Sequence, residues 1–238
     1  MKRIKAVLGS FRLRVAIVMI FSMLFLAALS NYLIYEYSFN FQFNQLRDEL
    51  KTIAEIAALA LDTKTLLEVP LDRDGVNSQA YKTIAQQLTR IKNNIPSITY
   101  IYTVAKTDKE GIFKFIVDPE PDIKNAQKVT SYPGDIYDGS TLPEMSKALI
   151  EPSADTKLGY DPWGVFLSGY SPILDTEGKA VAILGIDMRA NDVREVETEM
   201  RRRAIYVLIL GLVVAIALGL LASGRITDPV AKLITGTR

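Results

Sequence analysis

The chain has no cysteine and no histidine among its 238 residues, and only one tryptophan, Trp163. Without cysteine there is no disulfide to staple the fold and no thiolate nucleophile. Without histidine there is no Ser-His-Asp or Cys-His arrangement, no imidazole metal ligand and no imidazole to accept a phosphoryl group. Negative charge is missing at one end: the first 14 residues hold Lys2, Arg3, Lys5, Arg12 and Arg14 and no acid. The formal charge of +1 for the whole chain conceals this asymmetry. Residues 36–203 carry 20 Lys+Arg against 26 Asp+Glu, a formal charge of −6, which argues against nucleic acid as a partner. A segment of about 170 residues can bury an adequate core without disulfides.

Two stretches lack charge entirely, Val15 to Tyr35 and Ala204 to Gly224, each 21 residues long. As helices they would be roughly 31 Å long, about one hydrocarbon core. The sequence therefore predicts a cytoplasmic N-terminus (1–14), a first transmembrane helix (15–35), an extracytoplasmic domain (36–203), a second transmembrane helix (204–224) and a cytoplasmic tail (225–238). The basic N-terminus sets the orientation by the positive-inside rule. Arg201, Arg202 and Arg203 run against that rule and are expected at the lipid headgroups. The competing reading of the first run is a cleaved signal peptide, with Ala28-Leu-Ser30 as the cleavage site. The apolar run, however, continues past it through Tyr32-Leu-Ile-Tyr35.

Between the spans, Phe39, Phe43, Leu46, Leu50, Ile53, Ala57 and Ala60 are spaced 4-3-4-3-4-3, a heptad seam on a long helix from Glu36 to about Leu67. Ile56, Leu59 and Leu66 form a second apolar line. Two lines suggest two partners, the chain's own domain and the same helix of a second subunit, although both lines could pack within one monomer. Asn77 can cap a helix running to about Asn94. Ile98 to Ala105 and Ile112 to Val117 alternate as a hairpin, with Ile98, Tyr100, Tyr102 and Val104 on one face and Phe113, Phe115 and Val117 on one face. Residues 118–137 show no periodicity, as expected of a functional or a disordered loop. Thr141-Leu-Pro-Glu144 reads as a capping box for a short helix to about Ile150. Ser153 to Tyr160 carries one short strand. Trp163 to Met188 is a hairpin about the turn Asp175-Thr-Glu-Gly178. Asp192-Val-Arg-Glu195 then signals the start of a helix leading straight into the second span.

That order of elements between two spans, with Asp161-Pro-Trp-Gly164, Ser168-Gly-Tyr-Ser-Pro172, Gly185-Ile-Asp-Met188 and Ser131-Tyr-Pro-Gly134, resembles the extracytoplasmic Cache sensor domains of bacterial transmembrane receptors. The resemblance covers roughly residues 36–203. It implies an α+β, PAS-like fold, an antiparallel sheet behind a long N-terminal helix. The tail Ile226-Thr-Asp-Pro229-Val-Ala-Lys-Leu233 looks like the start of a HAMP linker, with a proline opening the first cytoplasmic helix. In that family a kinase, cyclase or methylated coiled coil normally follows such a linker, so the resemblance implies that this sequence is the input half of a receptor.

In a Cache-like fold the irregular segment and the sheet face would enclose a pocket. Small-molecule sites are mostly apolar with a few placed polar groups. Tyr100, Tyr102, Tyr132, Asp135, Tyr137, Trp163 and Tyr170 are candidates to line it, and the competing reading of each aromatic is core packing. Trp163 and Tyr170 fall on opposite faces by the period of two, so only one of them should line the pocket. Asp187 stands in an apolar strand in phase with Val181 and Ile183, where an ionised carboxylate is costly unless paired. A ligand ammonium, an arginine or a cap on the exit helix would each serve. Arg73 and Arg90 could hold a ligand carboxylate, or lie solvated on the surface. Asp118, Glu120 and Asp122 could form a cation site, against the simpler reading of a solvated loop.

The expected function is a receptor input module at the bacterial inner membrane. It would bind a small polar metabolite (a carboxylate, amino acid or amine) outside the cell, act as a homodimer, and pass a conformational signal to a cytoplasmic output such as a sensor kinase, a chemoreceptor signalling domain or a nucleotide cyclase. No cofactor and no metal are called for. The rival readings are a membrane-anchored scaffold that binds a partner protein, and a hydrolase built on paired carboxylates such as Asp135 and Asp187.

Overall fold

The computed structural model describes residues 2–122 and 129–236; the side chains of 2–12, 192–194, 196, 223, 224 and 226–236 are outside the description. Two compact units are formed, Met1–Phe41 with Val196–Arg238, and Gln42–Glu195.

The first unit pairs the two apolar helices. Helix α1 runs over Lys2–Leu59 and helix α5 over Ala190–Gly236; the elements between them follow below. Leu13–Leu59 and Glu197–Ala222 contain stretches long and apolar enough to cross a membrane. On α5, Gly211 faces Ala27 of α1 and Gly219 faces Ile20 and Ala16, and Ala215, midway between the two glycines at a four-residue spacing, is buried. This pattern lets helix backbones approach closely in lipid. The Asn31 side chain donates to the Ala204 carbonyl at 3.0 Å, giving a polar group in an apolar stretch its partner. The backbone stays helical across Pro229, so no separate helix opens at the proline. The side chains of the HAMP-like stretch lie outside the described residues.

The second unit is α+β. After α1 come α2 (Thr63–Leu67), a 3₁₀ turn (Arg73–Asn77), α3 (Gln79–Asn94), β1 (Tyr100–Lys106), β2 (Ile112–Val117), β3 (Ile136–Asp138), α4 (Pro143–Lys147), β4 (Ser153–Ala154), β5 (Gly159–Asp161), β6 (Gly164–Leu174) and β7 (Ala180–Arg189), which leads directly into α5. The sheet is antiparallel in the order β3-β2-β1-β7-β6-β4, with β5 paired to β6. This is the class expected from the sequence, an antiparallel sheet behind a long N-terminal helix.

Each face of the sheet carries its own core. On one face Leu50, Ala54 and Ala57 of α1 and Tyr81, Ile84 and Leu88 of α3 pack on Ile101, Leu167, Leu184 and Ile186. On the other, Tyr102, Val104, Phe113, Phe115, Tyr170 and Ile183 pack beneath Tyr137, Leu142 and Met145. The seam residues Phe43, Leu46, Leu50, Ile53 and Ala57 all meet the first core. Of the second line, Leu66 is buried, whereas Ile56 and Leu59 are 63% and 78% exposed.

Local chemistry moved several boundaries. The long helix breaks at residues 60–62, where Asp62 accepts from the Lys64 and Thr65 amides and starts α2. Ser78, not Asn77, caps α3 by accepting from the Tyr81 amide. Glu144 makes no capping box; it pairs with Lys147 at 2.6 Å, and Leu142 at the N-cap offers no side-chain acceptor. Helix α5 starts at Ala190, two residues before Asp192. Val117 leaves the face of Phe113 and Phe115, because a bulge opposite Thr103 and Val104 turns both Ile116 and Val117 to the helix side. Ile98 precedes β1 and joins the helix-side core as well.

Candidate functional site

The site lies on the sheet face away from α1, and its floor is two rows of residues across three strands. Asp187 on β7 stands between Tyr100 on β1 and Ser168 on β6, and Gly185 stands between Tyr102 and Tyr170. A β-carbon at Gly185 would fall 2.6 Å from the Tyr102 ring, so only glycine lets that ring lie across β7. The walls are aromatic. Phe115 meets Tyr137 edge-on at 5.4 Å and Trp163 at 5.7 Å between centroids; Tyr102 meets Phe115 at 5.8 Å and Tyr137 at 6.1 Å.

Tyr100, Tyr102, Phe115, Asp118, Tyr137, Asp161, Trp163 and Asp187 line one cavity. It holds about 20 Å³ of water-sized space, room for about one water molecule. An open cleft of about 260 Å³ lies beside it, lined by Tyr100, Trp163, Phe166, Arg189 and Asn191 among others. Tyr100 and Trp163 belong to both and form the partition between them.

The three carboxylates are held differently. Asp118 is buried, and its two oxygens accept from the Ser131 hydroxyl and the Glu120 amide. Asp161 accepts from the Trp163 and Gly164 amides at 2.8 and 2.9 Å, fixing the turn into β6, while the Tyr137 hydroxyl stands 3.5 Å from its other oxygen. Asp187 is 3% exposed, and among the described residues its Oδ1 has no hydrogen-bond partner. Burial, then the neighbouring Asp161 charge, pushes the Asp187 carboxyl far above the usual range, with the Ser168 hydroxyl opposing. Burial also raises Asp118 and Asp161. Tyr102 and Tyr137 are held far above the usual phenol range, mainly by burial.

Of the residues expected to line a pocket, Tyr100, Tyr102, Tyr137, Trp163 and Asp187 come together here. Tyr170 belongs to the same aromatic core, but its hydroxyl runs to Asp155 and it does not line the cavity. The argument from opposite faces fails all the same. Trp163 precedes β6 in the Asp161 turn, where the period of two does not hold, and it packs on the same side as Tyr170. Tyr132 and Asp135 lie elsewhere: Tyr132 stacks under Arg73 at 4.3 Å, and Asp135 accepts from the Thr130 hydroxyl and the Tyr132 amide. Arg90 lines a groove beside α1, remote from the cavity. Asp118, Glu120 and Asp122 do not converge, since Asp118 turns inward and Glu120 pairs with Lys92 at 2.9 Å. Among the described residues no acidic cluster is arranged to hold a metal ion. Among the described residues neither an arginine nor a helix cap engages Oδ1 of Asp187.

Sequence reasoning missed Phe115, Asp118 and Asp161 as lining residues. Asp161 carried a signal, since an aspartate two residues before a Trp-Gly pair is placed to cap a turn. Asp118, at the end of a strand, carried none.

No family model matches the sequence, and no curated protein matches it. Among solved structures, the ligand-binding domain of the Campylobacter jejuni chemoreceptor Tlp3 in complex with L-valine is similar over 77% of this chain and 66% of that one, at 14% identity and a TM-score of 0.45. The sensor domain of E. coli DcuS is similar over 64% of this chain and 94% of that one (16% identity, TM-score 0.37), and a domain of a putative sensory box/GGDEF family protein from Vibrio parahaemolyticus over 70% and 61% (15%, 0.43). The chain spans just under two thirds of the length of the chemoreceptor domains it matches. These are likenesses of fold.

Proposed function

We propose that this chain is the input module of a transmembrane receptor, in which residues 36–203 bind a small ligand outside the cell and β7 passes the change to the span at 204–224. The observation that carries the reading is Asp187: a buried carboxylate, with one oxygen unpartnered among the described residues, faces an aromatic cavity on a central strand that continues without a break into α5. A buried polar group without a partner lowers stability unless something completes it, and a ligand would do so. The unoccupied hydrogen-bonding capacity and the mechanical link thus share one strand.

The same reading places both termini in the cytoplasm, the module in the inner membrane, and a homodimer along α1. Ile53, Ile56, Ala57 and Ala60 line an apolar groove with Ile91 and Ile95, and the exposed Ile56 within it suits a second copy of the helix. Binding drives signalling only if the two states of the dimer differ in affinity.

The test is a thermal-shift screen of the full chain in nanodiscs against small metabolites. A ligand at 100 times its dissociation constant adds about 2.7 kcal/mol of stability. The expected result is a shift with one chemical class that disappears in Asp187→Ala. No shift with any class from a folded chain overturns the ligand-binding reading in favour of a scaffold.

A further inference from the structure

Near its end, α1 carries an exposed apolar ridge, Ile56 and Leu59, between two grooves of opposite character. At about 100° per residue, Ile53 and Ala57 lie about 60° and 100° to one side of Ile56, and Leu59 and Glu55 lie about 60° and 100° to the other. The first side turns toward α3. The groove there, of about 350 Å³, is lined by Ile53, Ala60, Ile91 and Ile95, and by the exposed Arg90. The second side turns toward the loop after α4, where Leu59, Ile150 and Pro152 line a separate groove with Glu55 and Glu151. The first groove is lined by one cation and no acid, the second by two acids and no cation. Among the described residues Arg90, Glu55 and Glu151 form no ion pair.

The membrane limits how a second copy can meet this ridge. Two copies inserted in the same direction carry their α1 helices parallel, so a two-fold axis relating them runs between the helices and along them. Such an axis sets the α3 side of each copy against the acidic side of the other. Leu59 of one copy then enters the apolar groove of its partner, and Glu55, just beyond Leu59, meets Arg90 there. The same contact recurs on the other side of the axis. An antiparallel pair would set like against like, arginine on arginine and glutamate on glutamate. Nearer the membrane α1 exposes Asp48 and Glu49, which confines the close contact to its last turns.

We infer that a second copy of this chain covers the ridge, with Leu59 in the partner's α1–α3 groove and Glu55 paired with the partner's Arg90, twice per dimer. This rests on the reading of α1 as the dimer helix and adds how the two copies recognise each other. Exposed ion pairs add little affinity; complementary charge fixes register and suppresses wrong partners.

The chain has no cysteine, so introduced ones report alone. Full-length chains bearing Glu55→Cys and Arg90→Cys under different tags would be co-expressed in membranes and mildly oxidised. Both positions are exposed, so neither change removes a core contact. The mixed disulfide is expected to exceed either self-linked product severalfold. Self-linked Glu55→Cys as the main product would overturn the inference by showing like sides together. Charge reversal then tests the pair, with cross-linking of Ile56→Cys followed across a range of protein-to-lipid ratios. Arg90→Glu or Glu55→Arg alone should weaken association about fivefold, as two pairs per dimer turn repulsive. Both reversals in one chain should restore it. Single reversals without effect, or a double no better than the singles, would overturn the ion pair. Cross-linking at Ile56→Cys without the mixed disulfide overturns the pairing of sides and leaves the α1 dimer standing. No cross-link in either experiment removes the dimer and the inference with it.

Discussion

Asp155, outside the cavity, has a clear pH signature. Its carboxylate accepts from the Ser168 amide and the Tyr170 hydroxyl at 3.3 and 3.4 Å, and burial raises it to about 7. The charged and titratable groups around it are Glu144 on α4, Tyr170 on β6, the cavity's Asp187, and Arg47 on α1, which donates to the Asp155 carbonyl rather than to its carboxylate. An unfolded aspartate titrates near 3.9, so between about pH 4 and 7 the unfolded state binds fewer protons and stability falls as pH rises. Asp155→Asn keeps an acceptor for both bonds. It should melt with the parent at pH 4 and a few degrees above it at pH 8; parallel melting curves for the two at every pH would dispose of the idea. At this scale the sequence was legible where one strand sufficed. Asp187 stood out because its phase with Val181 and Ile183 put a charge on an apolar face. Asp118 and Phe115 were not legible as cavity residues, because that role depends on β3 and the Asp161 turn closing over them.

Among elements, α1 was readable as a long helix because its seam repeats over three heptads, but its end was not. Asp62 stops it with side-chain bonds that the apolar pattern does not encode. The face change at Val117 was equally hidden, since a bulge is a property of two paired strands. The contact between α1 and the sheet is tight at Gly169, where a β-carbon would fall 2.7 Å from the Leu50 carbonyl carbon and oxygen. Gly169→Val is expected to push α1 off β6 and destabilise the domain by about 1–3 kcal/mol, the usual range for overpacking. Urea unfolding would measure it, and an unchanged midpoint would mean that α1 yields freely there.

For the whole molecule, the missing cysteines are useful, because any cysteine introduced is the only one present. Glu110→Cys, in the exposed β1–β2 turn, should react with a membrane-impermeant maleimide in intact cells, and Lys5→Cys only after lysis. The reverse pattern would invert the topology. Ile56→Cys should cross-link to its copy in the same membranes on mild oxidation, and a persistent monomer would remove the dimer along α1. Two apolar runs and a basic N-terminus lead to this layout from composition, and both runs are helical in the structure. The seat of α5 on α1 through Gly211, Ala215 and Gly219 lay in the sequence at a spacing of four, inside a run whose uniform hydrophobicity masked it.

Strand β7 is hydrogen-bonded on both sides, to β1 from Tyr100 to Val104 and to β6 from Phe166 to Leu174. A slip of one residue would swap its faces, sending Asp187 among the helices and Met188 into the cavity. Under the proposed reading, sliding of β7 along its own axis is therefore excluded as a way to carry the signal. On the same reading, a ligand in the cavity would act on β7 without changing its register, and the strand hands on to α5 at Arg189 and Ala190.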